Sequence, residues 1–521
     1  MLTTEELNLA IEELLNKARE VFNKYDGAFA AIGSQKDLAL YGLNTLHQQL
    51  RSDLESIASF DYISDFNPTK TTNPQNPNAI WLNAKTLELF VCQSNVVGEN
   101  VWIGSNNTVI GSLGFNPAGS FGFGVGVAPS YLADSFGLVP MDGCFNKYHP
   151  NFGNYTDASG SVMVYIPKHY VKLSLNTAAP YNGLQVDISG SAQTGYGLPR
   201  CFVNNGVEVA GIFVDKYLGG KEGTVMVSKR NLDPVSTAAA HNPITTLTSN
   251  SQSPAATYEG MYAAVKTRGA NYSLTTIFTY TMLANLADAH YQACYRNNNF
   301  APCAWADIAP YQPKGCNNNA LKDVNDANVV YTTSPYSTCG LTGGVTDTVF
   351  AKIAHNGQKC GVVDLNGNMW EVAAGYITSA AGAHLVLKES IDVKNLTAAV
   401  AYTTTNYDAL TMPLTLSNTQ VAFGNGTNQF FSGETVRTNN AYRLDNLGLP
   451  LNDSAVSASG TDRFGGDGFW RYQVNELCPV VGGSWSHSGL SGVRARNLDA
   501  VRSYSYDTVG GRACLVPSVA G

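Results

Sequence analysis

Two segments near the N-terminus carry apolar residues at alternating spacings of three and four. The first contains Leu7, Ile11, Leu14, Ala18, Val21 and Tyr25, and the second contains Leu43, Leu46, Leu50, Leu54 and Ile57. This spacing places one apolar stripe along a helix, so we predict two helices separated by the glycine-containing stretch 26–34. The stripe is as narrow as a coiled-coil seam, which needs partner helices. An intramolecular hairpin is one interpretation. We favour a helical region over residues 1–62 that serves oligomerisation or attachment to a larger assembly.

The next segment has the pattern of short strands and turns. Residues 67–78 are rich in Pro and Asn and predict a linker. The runs AIWLNAKTLELFVC (79–92) and ENVWIGS (99–105) predict strands with a tight turn at 83–85. The glycine-rich GSFGFGVGVAP (119–129) indicates turns or close backbone packing, because no P-loop lysine follows it. We therefore predict a linker and small β modules over residues 63–160.

The remaining 361 residues combine strand and helix patterns. VMVYIPKHYVKL (162–173) and VAGIFVDKYLGG (209–220) are rich in β-branched and aromatic residues, as strands are. Residues 272–295 have helical periodicity, and residues 310–338 are Asn-rich and loop-like. These patterns predict an α+β domain over residues 161–521.

Composition narrows the class of protein. Hydrophobic residues make up 44% of the chain and charged residues only 14%, which excludes intrinsic disorder. The net charge of -8 argues against a nucleic-acid partner. We expect no membrane insertion and no signal peptide, because the N-terminus is acidic and no long apolar run occurs. The ten cysteines form no C-x-x-C pair, so we expect reduced, mostly buried thiols in a protein made in a cytoplasm.

Two motifs stand out in the C-terminal part, GVVDLNGNMWEV (361–372) and a block that begins with GGSW (482–485) and continues to GGR (510–512). This pair of motifs resembles the formylglycine-generating-enzyme-like branch of the C-type lectin fold. More narrowly, the two motifs together with VMVYIPKHY, FVDKYLGG, KTRGANY and PKGCNNNAL resemble the variable proteins of diversity-generating retroelements, many of which are carried by phages. The resemblance implies a C-type-lectin-like domain over 161–521, with an insertion at 376–475 and a variable region at 484–515.

The resemblance also implies a binding surface whose codons are rewritten at adenines. Rewriting an Asn AAY codon cannot produce Gln, Glu, Lys, Met or Trp, and none of these occurs in the 36 residues after Trp485. By composition about four would be expected there. The mixture of Tyr, Arg, Ser and Gly resembles an antibody paratope, whereas the alternative is a solvated hairpin. The expected receptor-contacting residues are Ser486, His487, Ser488, Leu490, Ser491, Arg494, Arg496, Asp499, Tyr504 and Tyr506.

Two other features of these motifs concern metal binding and packing. In the related enzymes the D-x-x-G-N-x-W-E turn holds calcium, which implies a possible calcium site at Asp364, Glu371 and the carbonyls of Gly367 and Met369. Alternatively, Asp364 caps backbone N–H groups in a purely structural turn. We expect Trp370 and Trp485 to be core residues, because they follow tight turns that a large ring can anchor.

Three functions are compatible with the resemblance. We favour a tail-fibre tip protein, a homotrimer joined to other tail proteins, which is made in the host cytoplasm, resides in the virion and binds a protein or glycan receptor on a bacterium. A formylglycine-generating oxidase would need a reactive cysteine pair near its C-terminus, and residues 482–511 contain no cysteine, so we expect no enzyme activity. A variable protein displayed on a bacterial surface would need a lipobox or signal peptide.

Overall fold

The computed structural model describes residues 60–518, apart from gaps at 77, 87, 96–99, 106–108, 111–114, 179, 182, 239–257, 296–301, 308–313, 316–318, 324–325, 336–338, 398–399, 401–402, 424–439, 454–455 and 458–465. The two apolar stripes between residues 7 and 57 lie outside the described residues. The chain divides into two compact units, Met1–Gly111 and Ser112–Gly521.

In the first unit, one small sheet has five strands in chain order. Its strands are β1 (Tyr62–Ser64), β2 (Ile80–Asn83), β3 (Glu88–Ser94), β4 (Val101–Gly104) and β5 (Val109–Ile110). The β1–β2 pair is parallel and the other pairs are antiparallel. Phe90 and Trp102 are fully buried at its centre. The predicted turn after β2 is present, since the Asn83 side chain accepts from the Lys85 N–H at 3.0 Å.

The Pro/Asn segment 67–78 connects the parallel strands β1 and β2. We predicted this segment as a linker and did not predict that it joins two strands of one sheet. The Asn78 N–H donates to the Cys92 carbonyl at 2.8 Å, and the Lys70 carbonyl accepts from the Asn100 N–H at 2.7 Å. A connection between parallel strands must return along the sheet, so its backbone groups find partners there.

The second unit contains many short strands and five helices among its described residues. The strands of its first half are β6 (Val139–Pro140), β7 (Asn154–Thr156), β8 (Val162–Pro167), β9 (Tyr170–Ser174), β10 (Gln185–Ser189), β11 (Val203–Asn204), β12 (Val207–Glu208), β13 (Gly211–Asp215), β14 (Gly220–Glu222) and β15 (Val225–Val227). Those of its second half are β16 (Ser273–Leu274), β17 (Trp370–Val372), β18 (Tyr376–Thr378), β19 (His384–Leu387), β20 (Tyr407–Ala409), β21 (Thr419–Phe423), β22 (Val456–Ser457), β23 (Gly468–Arg471), β24 (Val480–Val481), β25 (Arg496–Asn497), β26 (Val509–Gly510) and β27 (Ala513–Leu515).

Two larger sheets organise this unit. The six-stranded sheet has the order β16-β27-β13-β8-β7-β6, so the last strand of the chain lies between β13 and β16. The seven-stranded sheet has the order β22-β21-β23-β25-β24-β17-β26. Because β6 and β7 pair with β8, residues 112–160 belong to the same unit as the residues that follow, whereas we placed the boundary at residue 160. The predicted insertion 376–475 supplies β21, β22 and β23 to the seven-stranded sheet and is therefore integrated into it.

The helices are α1 (Ser130–Ser135), α2 (Tyr258–Lys266), α3 (Ile277–Cys294), α4 (Asp347–Lys352) and α5 (Asn440–Leu447). Helix α3 agrees with the predicted helical segment 272–295, and it starts where the Thr276 hydroxyl accepts from the Thr279 N–H. No helix in the described ranges is long and apolar enough to cross a membrane. Strands prevail over helices here, so the class is mixed α+β, as predicted.

The interior of the second unit contains most of the cysteines. Eight of the nine cysteines in the described ranges are buried, and Cys294 is partly buried. Cys316 lies outside those ranges. The prediction of mostly buried thiols is thus confirmed for the described residues, and burial raises the pKa of several of them, for example Cys144 to about 12.

Candidate functional site

The two C-terminal motifs meet at strand β17. This strand pairs antiparallel with β24 and parallel with β26, so it joins the D-x-x-G-N-x-W-E turn to both ends of the GGSW block. Glu371 on β17 accepts two hydrogen bonds from Arg512, each of 2.5 Å. The Tyr280 hydroxyl on α3 donates to the same carboxylate at 2.8 Å. All three side chains are buried, so this ion pair ties the sheet to the helix.

The turn before β17 is built from side chains that bind backbone groups. Asp364 is buried and accepts from the Gly343 N–H at 2.9 Å and from the Leu218 N–H at 3.3 Å. Burial raises the pKa of Asp364 to about 6. The Asn368 side chain accepts from the Gly340 N–H at 2.7 Å and donates to the Gly340 carbonyl at 3.0 Å.

The calcium site implied by the resemblance does not fit this arrangement. Backbone N–H groups point at Asp364, and the Arg512 guanidinium already compensates the charge of Glu371. Calcium would need these oxygens, together with the carbonyls of Gly367 and Met369, to be directed at one common point. The donors around both carboxylates instead support the structural alternative, in which Asp364 caps backbone N–H groups.

The GGSW turn is shaped by two glycines in the left-handed region, with φ of 89° at Gly482 and 81° at Gly483. A Cβ at Gly483 would lie 2.5 Å from the Ser491 Cα, so the two backbone segments approach too closely for any side chain. Trp370 is only 2% exposed, which confirms it as a core residue. Trp485 is partly buried and packs against the buried Leu218 and Met369.

Three of the predicted receptor-contacting residues are instead interior. Arg494 is 2% exposed, and its Nε donates to Asp288 at 2.6 Å while its Nη2 donates to Asn285 at 2.8 Å. Arg496 and Ser491 are fully buried. The expectation that these side chains face solvent is therefore wrong. Helix α3 offers polar partners to the two arginines, and the Ser491 hydroxyl donates to the Ser484 carbonyl at 2.8 Å.

Arg496 is held mainly by uncharged groups. Its guanidinium donates to the carbonyls of Val493 at 3.1 Å and Ala495 at 3.0 Å, and to the Thr281 hydroxyl at 3.1 Å. Burial, together with the nearby charge of Arg494, lowers the pKa of Arg496 to about 9. Such a group has a structural role, since contact with a receptor would require it to leave these partners.

The residues from Ser486 to Leu490 form a turn at the surface. Ser488 is exposed, while Ser486, His487 and Leu490 are partly exposed. The His487 ring lies edge-on to Trp370 and Trp470, with ring centres 5.2 and 5.1 Å away. Burial lowers the pKa of His487 to about 4. The turn thus packs on aromatic side chains, with Ser488 exposed to solvent.

A second exposed segment carries the two tyrosines. Tyr506 is 52% exposed and Tyr504 is partly exposed, and their rings lie 4.3 Å apart. Thr237 holds the backbone below them, because its hydroxyl accepts from the Tyr506 N–H at 2.9 Å and donates to the Tyr506 carbonyl at 3.0 Å. Asp499 is partly exposed. The geometry therefore combines a fixed backbone with aromatic side chains directed to solvent.

Sequence reasoning missed the residues that support these segments. Thr281, Asn285 and Asp288 of α3 bind the buried arginines, and Thr237 binds the tyrosine segment. Residues 281, 285 and 288 are spaced by four and three, which places them on one face of a helix. This spacing could have been used to predict a buried polar stripe on that helix. Nothing local marks Thr237, which is 269 residues from Tyr506.

Comparisons with known proteins give distant likenesses only. No protein family and no curated protein matches the sequence. Among solved structures, the Major Tropism Determinant I1 variant is 13% identical over 88% of this chain and 99% of its own, with a TM-score of 0.27. PvdO from Pseudomonas aeruginosa is 11% identical over 70% of this chain and 98% of its own, also with a TM-score of 0.27. The Major Tropism Determinant M1 variant is 13% identical over 88% and 100%, with a TM-score of 0.25. TM-scores this low do not establish a common fold.

Proposed function

We propose that this chain is a receptor-binding protein at the tip of a phage tail fibre, with a C-type lectin fold in its second unit. In this proposal it forms a homotrimer, joins other tail proteins through its N-terminal region and binds a protein or glycan on the bacterial surface. The C-terminal surface is diversified by a retroelement. The motifs around Glu371 and Arg512 support the family, and the exposed residues after Trp485 support the binding role.

The observation that carries the proposal is the exposed Tyr504–Tyr506 pair on a backbone fixed by Thr237. Tyrosine supplies a large contact area with few rotatable bonds, and it is enriched at the residues that dominate binding energy. The adjoining Ser503 is exposed and adds an adaptable hydrogen-bonding group, whereas the Ser505 hydroxyl donates to the Thr237 carbonyl at 3.0 Å and helps to fix the segment. A rigid base under variable side chains lets the side chains change without changing the fold.

Binding rather than catalysis is also favoured by the state of the C-terminal cysteine. Cys514 is fully buried in β27, and burial raises its pKa to about 12. Its thiol therefore stays protonated, whereas a reactive cysteine needs the thiolate. We propose that the C-terminal segment has no enzyme activity.

The test is to replace both tyrosines, as Tyr504→Ser with Tyr506→Ser, and to measure adsorption to host bacteria and the melting temperature. We expect adsorption affinity to fall at least tenfold, because truncating a central anchor commonly costs ~2 kcal/mol. The variant should still fold and unfold cooperatively, because Tyr506 is exposed and Tyr504 is partly exposed, so that neither ring belongs to the buried core. The matched control is Tyr131→Ser with Tyr148→Ser, since these tyrosines are 54% and 65% exposed elsewhere on the same unit.

Normal adsorption by a folded tyrosine variant would contradict the proposed surface. The binding surface would then be sought within residues 376–475.

The proposed diversification by a retroelement is tested by the flanking DNA. A near-copy of the codons for 484–515, differing mainly at adenines and lying beside a reverse-transcriptase gene, is expected. Its absence would contradict the diversification part of the proposal.

A further inference from the structure

A cluster of one histidine and two cysteines lies at the end of helix α3, away from the C-terminal motifs in sequence. His290 and Cys294 are one helical turn apart, and Cys303 precedes the short helical turn Ala304–Asp307. The imidazole nitrogen and both sulfur atoms lie within 4.8 Å of one another. His290 and Cys303 are buried, and Cys294 is partly buried.

Both ring nitrogens of His290 lie near hydrogen-bond donors. Nδ1 lies 3.1 Å from the Gly119 N–H, and Nε2 lies 3.1 Å from the Gln358 side-chain nitrogen. The orientation of this amide is fixed, because its oxygen accepts from the Gly122 N–H and its nitrogen donates to the Ser120 carbonyl. A neutral imidazole accepts at one nitrogen only. When Nδ1 accepts from Gly119, the proton is on Nε2, and the Cys294 sulfur at 3.6 Å is the acceptor next to it.

The two sulfur atoms consequently differ in charge. The neighbouring Cys303 thiol, followed by the His290 ring, outweighs the effect of burial and lowers the pKa of Cys294 to about 5. Burial raises the pKa of Cys303 well above its usual range. At neutral pH the pair is then one thiolate and one thiol, with the two sulfur atoms no more than 4.8 Å apart. This is the arrangement of a nucleophilic cysteine next to a resolving cysteine.

We propose that Cys294 and Cys303 form a redox-active dithiol that closes to a disulfide when a hydroperoxide oxidises it. The Cys294 thiolate attacks one peroxide oxygen and expels the other as an alkoxide or hydroxide, leaving a sulfenic acid. The Cys303 sulfur then attacks the Cys294 sulfur, its proton leaves with the sulfenic hydroxyl as water, and the S–S bond forms. Two electrons pass from the thiols to the peroxide.

The surroundings of the pair fit this chemistry. Cys294, the attacking residue, is partly exposed, so a small oxidant can approach it, and Cys303 on its other side lines a cavity of about 440 Å³. The competing interpretation is a zinc ion held by the three side chains. Zinc at Nε2 would require the proton on Nδ1, which faces the Gly119 N–H instead of an acceptor. The geometry therefore favours the dithiol, and the experiment includes the zinc outcome.

The experiment treats the full chain with a small excess of hydrogen peroxide, blocks remaining thiols and maps the cysteine peptides by mass spectrometry. We expect a peptide pair joined through Cys294 and Cys303 in most chains. Cys360 lines the same cavity, and burial raises its pKa, so it is the internal control and should stay unmodified. The variant Cys303→Ser should trap Cys294 as a sulfenic acid, whereas Cys294→Ser should leave Cys303 unoxidised.

A second measurement uses only the unaltered protein. At pH 6 the reaction of Cys294 with iodoacetamide should be roughly tenfold faster than that of a small-molecule thiol, because the larger thiolate fraction outweighs the lower nucleophilicity. Three results would overturn the proposal. These are alkylation that begins only above about pH 8, oxidation that joins Cys294 to another cysteine, and stoichiometric zinc in the purified protein that is lost in Cys294→Ser.

Discussion

The guanidinium of Arg512 holds the carboxylate of Glu371 in two parallel hydrogen bonds, from Nε to Oε2 and from Nη2 to Oε1, each of 2.5 Å. The two residues are 141 positions apart in the chain, and both are buried. The Arg512 Nη1 also donates to the Asp215 carbonyl at 3.2 Å. This pair therefore joins β17 to β13 and to the start of β27, and it connects the two motifs that the sequence displays separately.

We predict that Arg512→Ala lowers the free energy of unfolding by ~3–5 kcal/mol, because it leaves the Glu371 charge buried without its partner. Urea denaturation measures this change. The control is Arg502→Ala, since Arg502 pairs with Glu476 at 3.3 Å in a partly exposed position. An exposed pair contributes at most ~1 kcal/mol. Equal losses in the two variants would contradict the structural role of Arg512.

Arg494 provides a second test, because it lies within the proposed variable region 484–515 but is buried against Asp288. We predict that Arg494→Ser is destabilised by ~3–5 kcal/mol, since the Asp288 carboxylate loses its partner in the interior. Arg443→Ser is the matched control, because Arg443 pairs with Asp408 near the surface. The measurement is again urea denaturation. If Arg494→Ser were as stable as the parent, the position would be open to diversification.

The two glycines around the GGSW turn differ in what they tolerate. We predict that Gly483→Ala is strongly destabilised or does not fold, because the new Cβ meets the Ser491 backbone at 2.5 Å and φ is positive. Gly489→Ala should have no such effect, since no atom lies within 4 Å of its added Cβ. Thermal denaturation of both variants checks this contrast. Similar melting temperatures would show that the turn adopts another conformation.

Two buried histidines predict sensitivity to acid. Burial lowers the pKa of His169 to about 4 and that of His355 to about 3. In the unfolded chain both titrate near 6.5, so the unfolded state binds protons first as the pH falls. Their contribution to stability is therefore full above about pH 6.5 and declines below it, by up to ~1.4 kcal/mol per pH unit for each histidine.

The corresponding measurement is urea denaturation of the parent and His355→Gln at several pH values from about 7.5 down to 5. The free energy of unfolding of the variant should fall less steeply as the pH is lowered, because His355 is no longer there to bind a proton on unfolding. An identical pH dependence in the two proteins would mean that His355 titrates alike in the folded and unfolded states.

The N-terminal stripes remain a prediction about assembly. If they are helix seams, removal of residues 1–60 should convert the oligomer to a monomer or abolish attachment to the particle. The second unit should stay folded, because Ser112–Gly521 is a compact unit with its own core. Light scattering and incorporation into particles measure the two effects. A truncated protein of unchanged oligomeric state that still joins particles would contradict this interpretation.

The sequence alone determined the features that depend on local pattern. Strands within 162–173 and 209–220, helix α3 and the tight turn after β2 were predicted correctly. Side-chain periodicity and turn chemistry act over a few residues, so they can be recognised without knowledge of the fold. The core position of Trp370 was predicted in the same way, because a large ring beside a tight turn has few other places to pack.

The tertiary structure decided which polar residues face solvent. Arg494 and Tyr506 occur in one polar C-terminal segment, yet Arg494 is 2% and Tyr506 is 52% exposed. The difference arises because Asn285 and Asp288 on α3 lie below Arg494, whereas Thr237 holds only the backbone of Tyr506. A charged side chain can be buried only where distant parts of the chain supply its partners. Such partners depend on the folded arrangement of α3, and no local pattern around residue 494 contains them.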